Sequence, residues 1–362
     1  MITDERNINR LMTKKERIRA MIDNRPADRI GVSGWLHMPM VDRHVKDFVK
    51  ATIDFTDNNG WDFVKLMSNG HYFAEAYGAK IRWRNDPGEW SGEFLEYPVK
   101  TPEDLAALPV LDPDENPVFQ REIEIAKGVC EHYRGEVPVL ATIFTPLTWM
   151  QEMMHSCNPA PAMQMMAEHP KEVHRALEAL LETNKKLLDR MIAAGVDGIF
   201  LSTQWASRAL VTDEQIAEFC RPYDKELLRY IKDRTWFNMM HLHYCEKLQF
   251  EEFLDYEGIQ AFNWENCTKI ADMSRLTSIK TVRDMYPDKV LIGGIDQHND
   301  FVNADNDREA IKDVLRRRLL TALEECGDYR FIFAPGCALP LDVDRYVFTL
   351  MQEVVQEEGL VK

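Results

Sequence analysis

The sequence predicts an α/β protein built as a single (β/α)8 (TIM) barrel across residues 1–362. Eight short apolar segments alternate with longer segments of helical periodicity. The short segments are apolar along almost their whole length, as parallel strands covered on both faces are. An open doubly wound sheet is the alternative, but no glycine-rich phosphate-binding sequence follows the first predicted strand, where Gly34-Trp35-Leu36-His37 stands instead.

The predicted elements follow in chain order. The strands are Arg29–Trp35, Asp62–Met67, Val137–Phe144, Gly195–Thr203, Trp236–His241, Ile259–Trp264, Val290–Ile295 and Tyr329–Ala334. Apolar residues at helical spacing predict helices at Pro170–Ala194 and Asp307–Cys326. The segment Thr212–Gln215 has the pattern of a capping box and predicts the start of a further helix.

Two connecting segments are unusual. The interval Ser68–Glu136 is too long for a simple crossover, so we expect one helix, Pro117–Tyr133, and an excursion over one barrel mouth that contains Trp83, Trp90, Phe94 and Tyr97. The interval Pro146–His169 contains six methionines. They predict either a helix pair packed with thioethers or a pliable apolar surface for a bulky ligand or partner.

Composition excludes several functional classes. A formal charge of −16 and a pI near 5.2 argue against nucleic acid or anionic membrane as partners, since both attract clustered Lys and Arg. No apolar stretch approaches the length of a membrane span, and Met1–Arg6 lacks the apolar segment of a signal peptide. Seven cysteines, an odd number scattered through the chain, fit reduced thiols. We therefore expect a cytoplasmic protein.

The ends of two predicted strands carry soft metal ligands. His241-Leu242-His243 follows an apolar run, and residues i and i+2 of an extended strand point to the same face. A second apolar strand near the C-terminus ends in Pro335-Gly336-Cys337. A single His or Cys at the end of a strand usually packs or forms hydrogen bonds in the core. Together, however, imidazole and thiolate ligands predict zinc, and three protein ligands with a fourth position open indicate a catalytic site.

Other polar residues follow the remaining predicted strands, where barrel active sites occur. Glu265 is a candidate fourth ligand or an acceptor that fixes an imidazole tautomer, and Asp296 a candidate general base or substrate anchor. Ordinary loop carboxylates without a catalytic role would also follow the strands in this way. Cys245 ranks below His243 as a ligand because Glu246-Lys247-Leu248 resembles the start of a helix. The other residues at strand ends are Asn69, His71, Gln204, Trp205 and His298.

Several segments resemble the uroporphyrinogen decarboxylase superfamily along nearly the whole chain, and the resemblance implies a (β/α)8 barrel. They are Lys15–Ile22, Arg25–Ile30, Trp61–Lys65, Gly294–Asp296 and Pro335–Cys337. True decarboxylases of the superfamily carry a Met-Arg-Gln-Ala-Gly-Arg motif that grips tetrapyrrole carboxylates. The corresponding segment here, Gly34–Met40, contains no arginine. We therefore do not expect this protein to act in porphyrin synthesis.

The site pattern is more similar to the zinc-dependent corrinoid methyltransferases of this superfamily, which carry His-x-Cys and a distant Cys. His241 and Cys337 match that pattern, whereas His243 occupies the position of the pattern's first Cys. The resemblance implies methyl transfer between a small methoxylated or thiol substrate and a corrinoid on a partner protein. Asp296 or Glu265 would donate or accept the proton. The residues expected to contact the corrinoid are Met153, Met154 and Trp205.

Two other functions remain open at the level of sequence. One is a decarboxylase or other lyase that acts on a small carboxylate and needs a proton donor but no metal. The other is a non-catalytic protein that holds a corrinoid or tetrapyrrole at the barrel mouth.

Overall fold

A computed structural model describes residues 11–84, 86–88, 92–156, 158–243, 246–267, 276–302 and 307–361. Its strands are β1 (Gly31–Val32), β2 (Val64–Lys65), β3 (Lys80–Arg82), β4 (Glu93–Glu96), β5 (Val139–Phe144), β6 (Gly198–Thr203), β7 (Met239–Leu242), β8 (Ala261–Trp264), β9 (Val290–Ile295) and β10 (Phe331–Pro335). All of these except β3 and β4 form one curled parallel sheet, in the order β1-β10-β9-β8-β7-β6-β5-β2. The predicted (β/α)8 barrel is confirmed, and each barrel strand lies within its predicted segment or extends one residue beyond it.

The barrel closes between β1 and β2 through few contacts. The backbone N–H of Asp62 donates to the carbonyl of Val32 over 2.8 Å, and the Ser33 hydroxyl donates to the carbonyl of Phe63 over 3.0 Å. The fully buried Asp62 carboxylate also accepts from Arg17 and Arg29, each over 2.7 Å. Two guanidinium groups therefore compensate this buried charge at the join.

Helices surround the sheet. Their bounds are α1 (Lys14–Ile22), α2 (Val45–Asn59), α3 (Tyr72–Ala76), α4 (Pro102–Ala106), α5 (Pro117–Tyr133), α6 (Pro146–Met154), α7 (Ala160–Glu168), α8 (Pro170–Ala193), α9 (Asp213–Gln215), α10 (Arg221–Ile231), α11 (Ile279–Met285), α12 (Arg308–Cys326) and α13 (Thr349–Glu358). The predicted bounds of α5 are confirmed, and those of α8 and α12 differ by one residue. Thr212 caps α9 in the predicted capping box. No helix in the described ranges is long and apolar enough to cross a membrane.

The long connection between β2 and β5 contains more structure than the single helix expected there. The short helices α3 and α4 and the antiparallel hairpin β3–β4 accompany α5. A capping box from Thr101 to Asp104 opens α4 and was a signal available in the sequence. Phe94 of the hairpin packs edge-on against His71, with ring centroids 4.8 Å apart. Trp90 lies outside the described residues.

The methionine-rich segment forms the helix pair α6 and α7 rather than an exposed surface. Met153 is fully buried and Met154 is only 9% exposed. Trp205, which follows β6, is also fully buried. These three side chains fill the core, so the structure corrects the expectation that they form a surface on which a corrinoid could dock.

Candidate metal centre at the barrel mouth

A cavity of about 820 Å³ opens at the C-terminal ends of the barrel strands. Its wall includes aromatic side chains from four parts of the barrel, namely Trp35, Tyr72, Phe144 and Phe200. Among the predicted strand-end residues, those that line it are Asn69, His71, Gln204, His241, His243, Glu265, His298 and Cys337. Neither Asp296 nor Trp205 lines this cavity. Barrel active sites form at this face.

Three of the lining residues converge as metal ligands would. One ligand atom from each of His241, His243 and Cys337 lies within 4.8 Å of the other two. The Cys337 Sγ and His243 Nδ1 atoms are 3.9 Å apart. Ligand atoms of a tetrahedral zinc site lie about 3.6 Å apart when the usual Zn–S and Zn–N bond lengths apply. The three side chains therefore need only small shifts to enclose a zinc ion.

The strand geometry explains why the two histidines point together. His241 lies within β7 and pairs with Ser202 of β6. The backbone N–H of His243 donates to the carbonyl of Thr203 over 3.0 Å, so the β6–β7 ladder continues to this residue. Side chains two residues apart on an extended strand share a face. His241 is buried in the barrel, whereas His243 is exposed towards the mouth.

Gly336 brings Cys337 close to the histidines. A Cβ atom at this position would lie 2.7 Å from the Cα of Glu265 and 3.0 Å from the carbonyl oxygen of Trp264. Only glycine allows this close approach between the turn after β10 and the end of β8. The Gly336 N–H donates to Oε1 of Gln297, whose Nε2 donates to Glu265. Gln297 thus links the turn that carries Cys337 to the predicted carboxylate.

Asn263 fixes the orientation and tautomer of His241. Its Nδ2 donates to the carbonyls of Ile292 and Pro335, each over 3.1 Å. Its Oδ1 must then face His241 Nδ1, 2.6 Å away, so Nδ1 carries the proton and donates. The remaining nitrogen, Nε2, keeps a lone pair for a metal ion. Burial lowers the pKa of His241 and favours this neutral form.

The two predicted carboxylates differ in position. Glu265 lines the cavity beside His243, and burial raises its pKa. Asp296 is fully buried, and its two oxygens accept from the His298 backbone N–H and from Asn299 Nδ2 within its own turn. Glu265 can therefore exchange a proton with a ligand in the cavity, whereas Asp296 stabilises the turn after β9. Cys245 lies outside the described residues.

Comparison with known proteins agrees with this fold. The sequence model of uroporphyrinogen decarboxylase (URO-D) matches residues 26–358. The chain belongs to the URO-D family. A uroporphyrinogen decarboxylase from Saccharopolyspora erythraea is 29% identical over 38% of this chain and 37% of its own length, and one from Corynebacterium diphtheriae is 26% identical over 43% and 44%. These alignments thus span less than half of either relative.

Solved structures resemble this URO-D family chain over greater lengths. A methyltransferase from Methanosarcina mazei superimposes with a TM-score of 0.76, at 17% identity, and covers 96% of this chain and 99% of its own. A B12-independent methionine synthase from Shewanella sp. W3-18-1 superimposes with a TM-score of 0.57, at 13% identity, and covers 91% of this chain and 98% of its own. At these identities the likeness concerns the fold.

The cavity of this URO-D family chain also contains polar residues for which the sequence analysis predicted no role. Glu152 of α6 is buried, and its carboxylate lies 3.3 Å from His71 Nδ1 and 3.5 Å from Gln204 Nε2. Burial raises the pKa of Glu152. Lys65, at the end of β2, is the one Lys or Arg among the described residues of the cavity wall. A charged residue inside an apolar strand was the available signal for Lys65.

Proposed function

We propose that this URO-D family chain is a zinc-dependent methyltransferase that moves a methyl group between a small methoxylated or thiol substrate and a corrinoid on a partner protein. The observation that carries the proposal is the convergence of His241, His243 and Cys337 at the wall of a large cavity. Two imidazoles and a thiolate are ligands that zinc prefers, and three protein ligands leave a coordination position for substrate.

The donor set fits zinc chemically. His241 offers Nε2 because Asn263 holds its Nδ1 proton, and Cys337 is held beside His243 by the turn at Gly336. A carboxylate or amide that fixes the far side of a ligating imidazole is a usual feature of metal sites. A zinc ion bound by these residues would act as a Lewis acid towards a substrate oxygen or sulfur.

The other residues of the wall have separate roles in the proposal. Glu265, whose raised pKa keeps a proton within reach, gives that proton to a departing oxygen or takes one from an incoming thiol. Trp35 and Phe200 exclude water from the inner cavity. Since Met153, Met154 and Trp205 are buried in the core, we place the corrinoid at the open mouth of the cavity and assign these side chains no contact with it.

Two measurements on the same protein test the proposal. Metal analysis of protein purified without added metal should find about one zinc per chain, and the double variant His241→Ala/Cys337→Ser should lose it. Cys130→Ser, which changes a thiol outside the cavity, is the matched control and should keep the metal. Methyl transfer is followed by the absorbance of cob(I)alamin with a panel of methoxylated donors and thiol acceptors. Full zinc content in the double variant, or an unchanged cob(I)alamin spectrum with every donor, would contradict the proposal.

A lyase that acts on a small carboxylate is the second candidate. The observation that favours it is an amine, Lys65, in the same cavity as two carboxyl groups of raised pKa, Glu152 and Glu265. Such an arrangement could bind an anion and supply a proton without any metal. Activity that persists in metal-free protein would favour this candidate over methyl transfer.

A further inference from the structure

Lys65 presents a buried amine to the cavity. Its side chain rises from the end of β2, and the residue is 7% exposed. The Nζ atom lies 2.7 Å from the Met67 Sδ atom and 4.4 Å from the centroid of the Phe200 ring. A thioether is a weak acceptor and an aromatic ring offers only the attraction of its face. Neither neighbour supplies a negative charge.

Within the described residues, no carboxylate lies within salt-bridge distance of Lys65. Other partly buried lysines are paired: Lys312, for example, contacts both Glu353 and Glu357. A charged amine that is buried without a counterion is costly, and burial lowers the pKa of Lys65 to about 7. The Cys337 thiol opposes this lowering of the Lys65 pKa, but no described carboxylate explains why an amine stands here.

The described residues of the cavity wall include no other lysine and no arginine. Its acidic side chains are Glu152, Glu265 and Asp342. Burial lowers the pKa of His37 to about 3, so this neighbour of Lys65 is uncharged at neutral pH. Lys65 is therefore the side chain of the described wall best suited to attract the anionic end of a ligand.

The amine also lies in the same part of the cavity wall as the proposed metal centre. Lys65 Nζ lies over the Phe200 ring, and that ring packs against His241 with centroids 4.9 Å apart. The amine and a ligand of the metal centre thus contact the same aromatic ring. A substrate that reaches both must carry an anionic group and a reacting heteroatom in one small molecule.

We propose that Lys65 is the anchor for a carboxylate of the substrate, so that the methyl donor or acceptor is a small carboxylic acid that also carries a methoxy or thiol group. The identity of the transferred group rests on the proposed function, whereas carboxylate binding at Lys65 does not require it. The carboxylate would supply the counterion that the described residues do not provide.

Calorimetric titration with matched acids and amides tests the anchor directly. The probes are 4-methoxybenzoate and 4-methoxyphenylacetate, each compared with its neutral amide. Wild-type protein should bind at least one acid about tenfold or more tightly than its amide, as expected for a charge-assisted hydrogen bond in a cavity. Lys65→Met, which keeps the length of the side chain without its charge, should remove that preference, and Lys65→Gln should do the same. Lys50→Met, at an exposed position, should leave it intact.

The outcomes separate the two proposals. The preference for acids should persist in the metal-free double variant His241→Ala/Cys337→Ser, because the anchor does not depend on the metal ligands. Equal affinities for acid and amide, absence of binding by both acids, or an undiminished preference in folded Lys65→Met or Lys65→Gln protein would overturn the anchor. Loss of methyl transfer or of zinc, with the acid preference unchanged, would instead count against the proposed methyltransferase alone.

Discussion

The Oδ1 atom of Asn263 lies 2.6 Å from Nδ1 of His241, and both Nδ2 protons of Asn263 are engaged by backbone carbonyls. The amide cannot turn over without placing its NH2 group against the imidazole. The barrel therefore dictates which nitrogen of His241 faces the cavity.

The first prediction follows from this contact. Asn263→Leu, which keeps most of the volume but removes the acceptor, should lower zinc affinity by about 10- to 100-fold, as loss of a partner of a ligating histidine usually does. Competition with a chromophoric chelator measures the affinity. Asn59→Leu changes a buried asparagine of α2, outside the cavity, and should leave the affinity unchanged. Equal zinc affinity in Asn263→Leu and wild type would mean that His241 does not ligate through Nε2.

The second prediction concerns the choice of ligand after His241. Since the β6–β7 ladder extends to His243, this residue shares the face of His241. His243→Ala should lose zinc, whereas Cys245→Ser should retain it, as metal analysis of the two purified variants will show. The opposite result would mean that the thiol at position 245 completes the site and that His243 has another role.

Uroporphyrinogen should not be a substrate despite the family to which the chain belongs. Its eight carboxylates need several fixed cations. Within the described residues, the cavity wall contains no arginine and only Lys65 as a lysine. We expect no coproporphyrinogen above background when the purified protein is incubated with uroporphyrinogen and the products are separated by chromatography. Formation at the rate of a true decarboxylase, measured in parallel, would refute this prediction.

Asp224 makes the stability of the fold depend on pH. The residue is buried in α10, its Oδ1 has no hydrogen-bond partner among the described residues, and burial raises its pKa well above the usual value. In the unfolded chain the carboxyl ionises near pH 4, roughly its reference pKa. Above that pH the folded state holds the extra proton, so stability falls as pH rises, by up to about 1.4 kcal/mol per unit, until the folded pKa is reached.

Replacement by an uncharged isostere removes this dependence. Asp224→Asn should raise the melting temperature relative to wild type more at about pH 8 than at about pH 5, because ionisation penalises only the wild type. Differential scanning calorimetry at both pH values measures the two differences. Asp313→Asn, at an exposed position of α12, is the control and should show little change at either pH. A gain for Asp224→Asn that is the same at both pH values would argue against a raised pKa.

The barrel and the three converging side chains could both be predicted from the sequence, for the same physical reason. Parallel strands buried on both faces are apolar throughout, and the residues after them meet at one end of the barrel. The sequence alone therefore predicts that His241, His243 and Cys337 lie together. The continuation of the ladder to His243 is the structural detail that makes the alternation argument hold at the strand end.

Other parts of the site depend on neighbours that periodicity does not reveal. Asn263 is important for the site because its side chain reaches His241 on the neighbouring strand β7. Lys65 is important because it lies in the cavity wall and no described carboxylate lies within salt-bridge distance of its amine. Composition was a poor guide at Met153 and Trp205, since both exposed interfaces and packed cores are rich in methionine and tryptophan. Asp296 follows a strand as predicted, yet hydrogen bonds within its own turn direct the carboxylate away from the cavity.

The join between β1 and β2 gives the two sides of the cavity different strand pairing. The strands that carry His241, Asn263 and Cys337 are paired on both sides by continuous ladders. Lys65 instead lies on β2, whose other side is joined to β1 by the hydrogen bonds between Asp62 and Val32 and between Ser33 and Phe63 rather than by a strand ladder. Backbone pairing is thus most continuous where the candidate metal ligands lie and least continuous beside the amine.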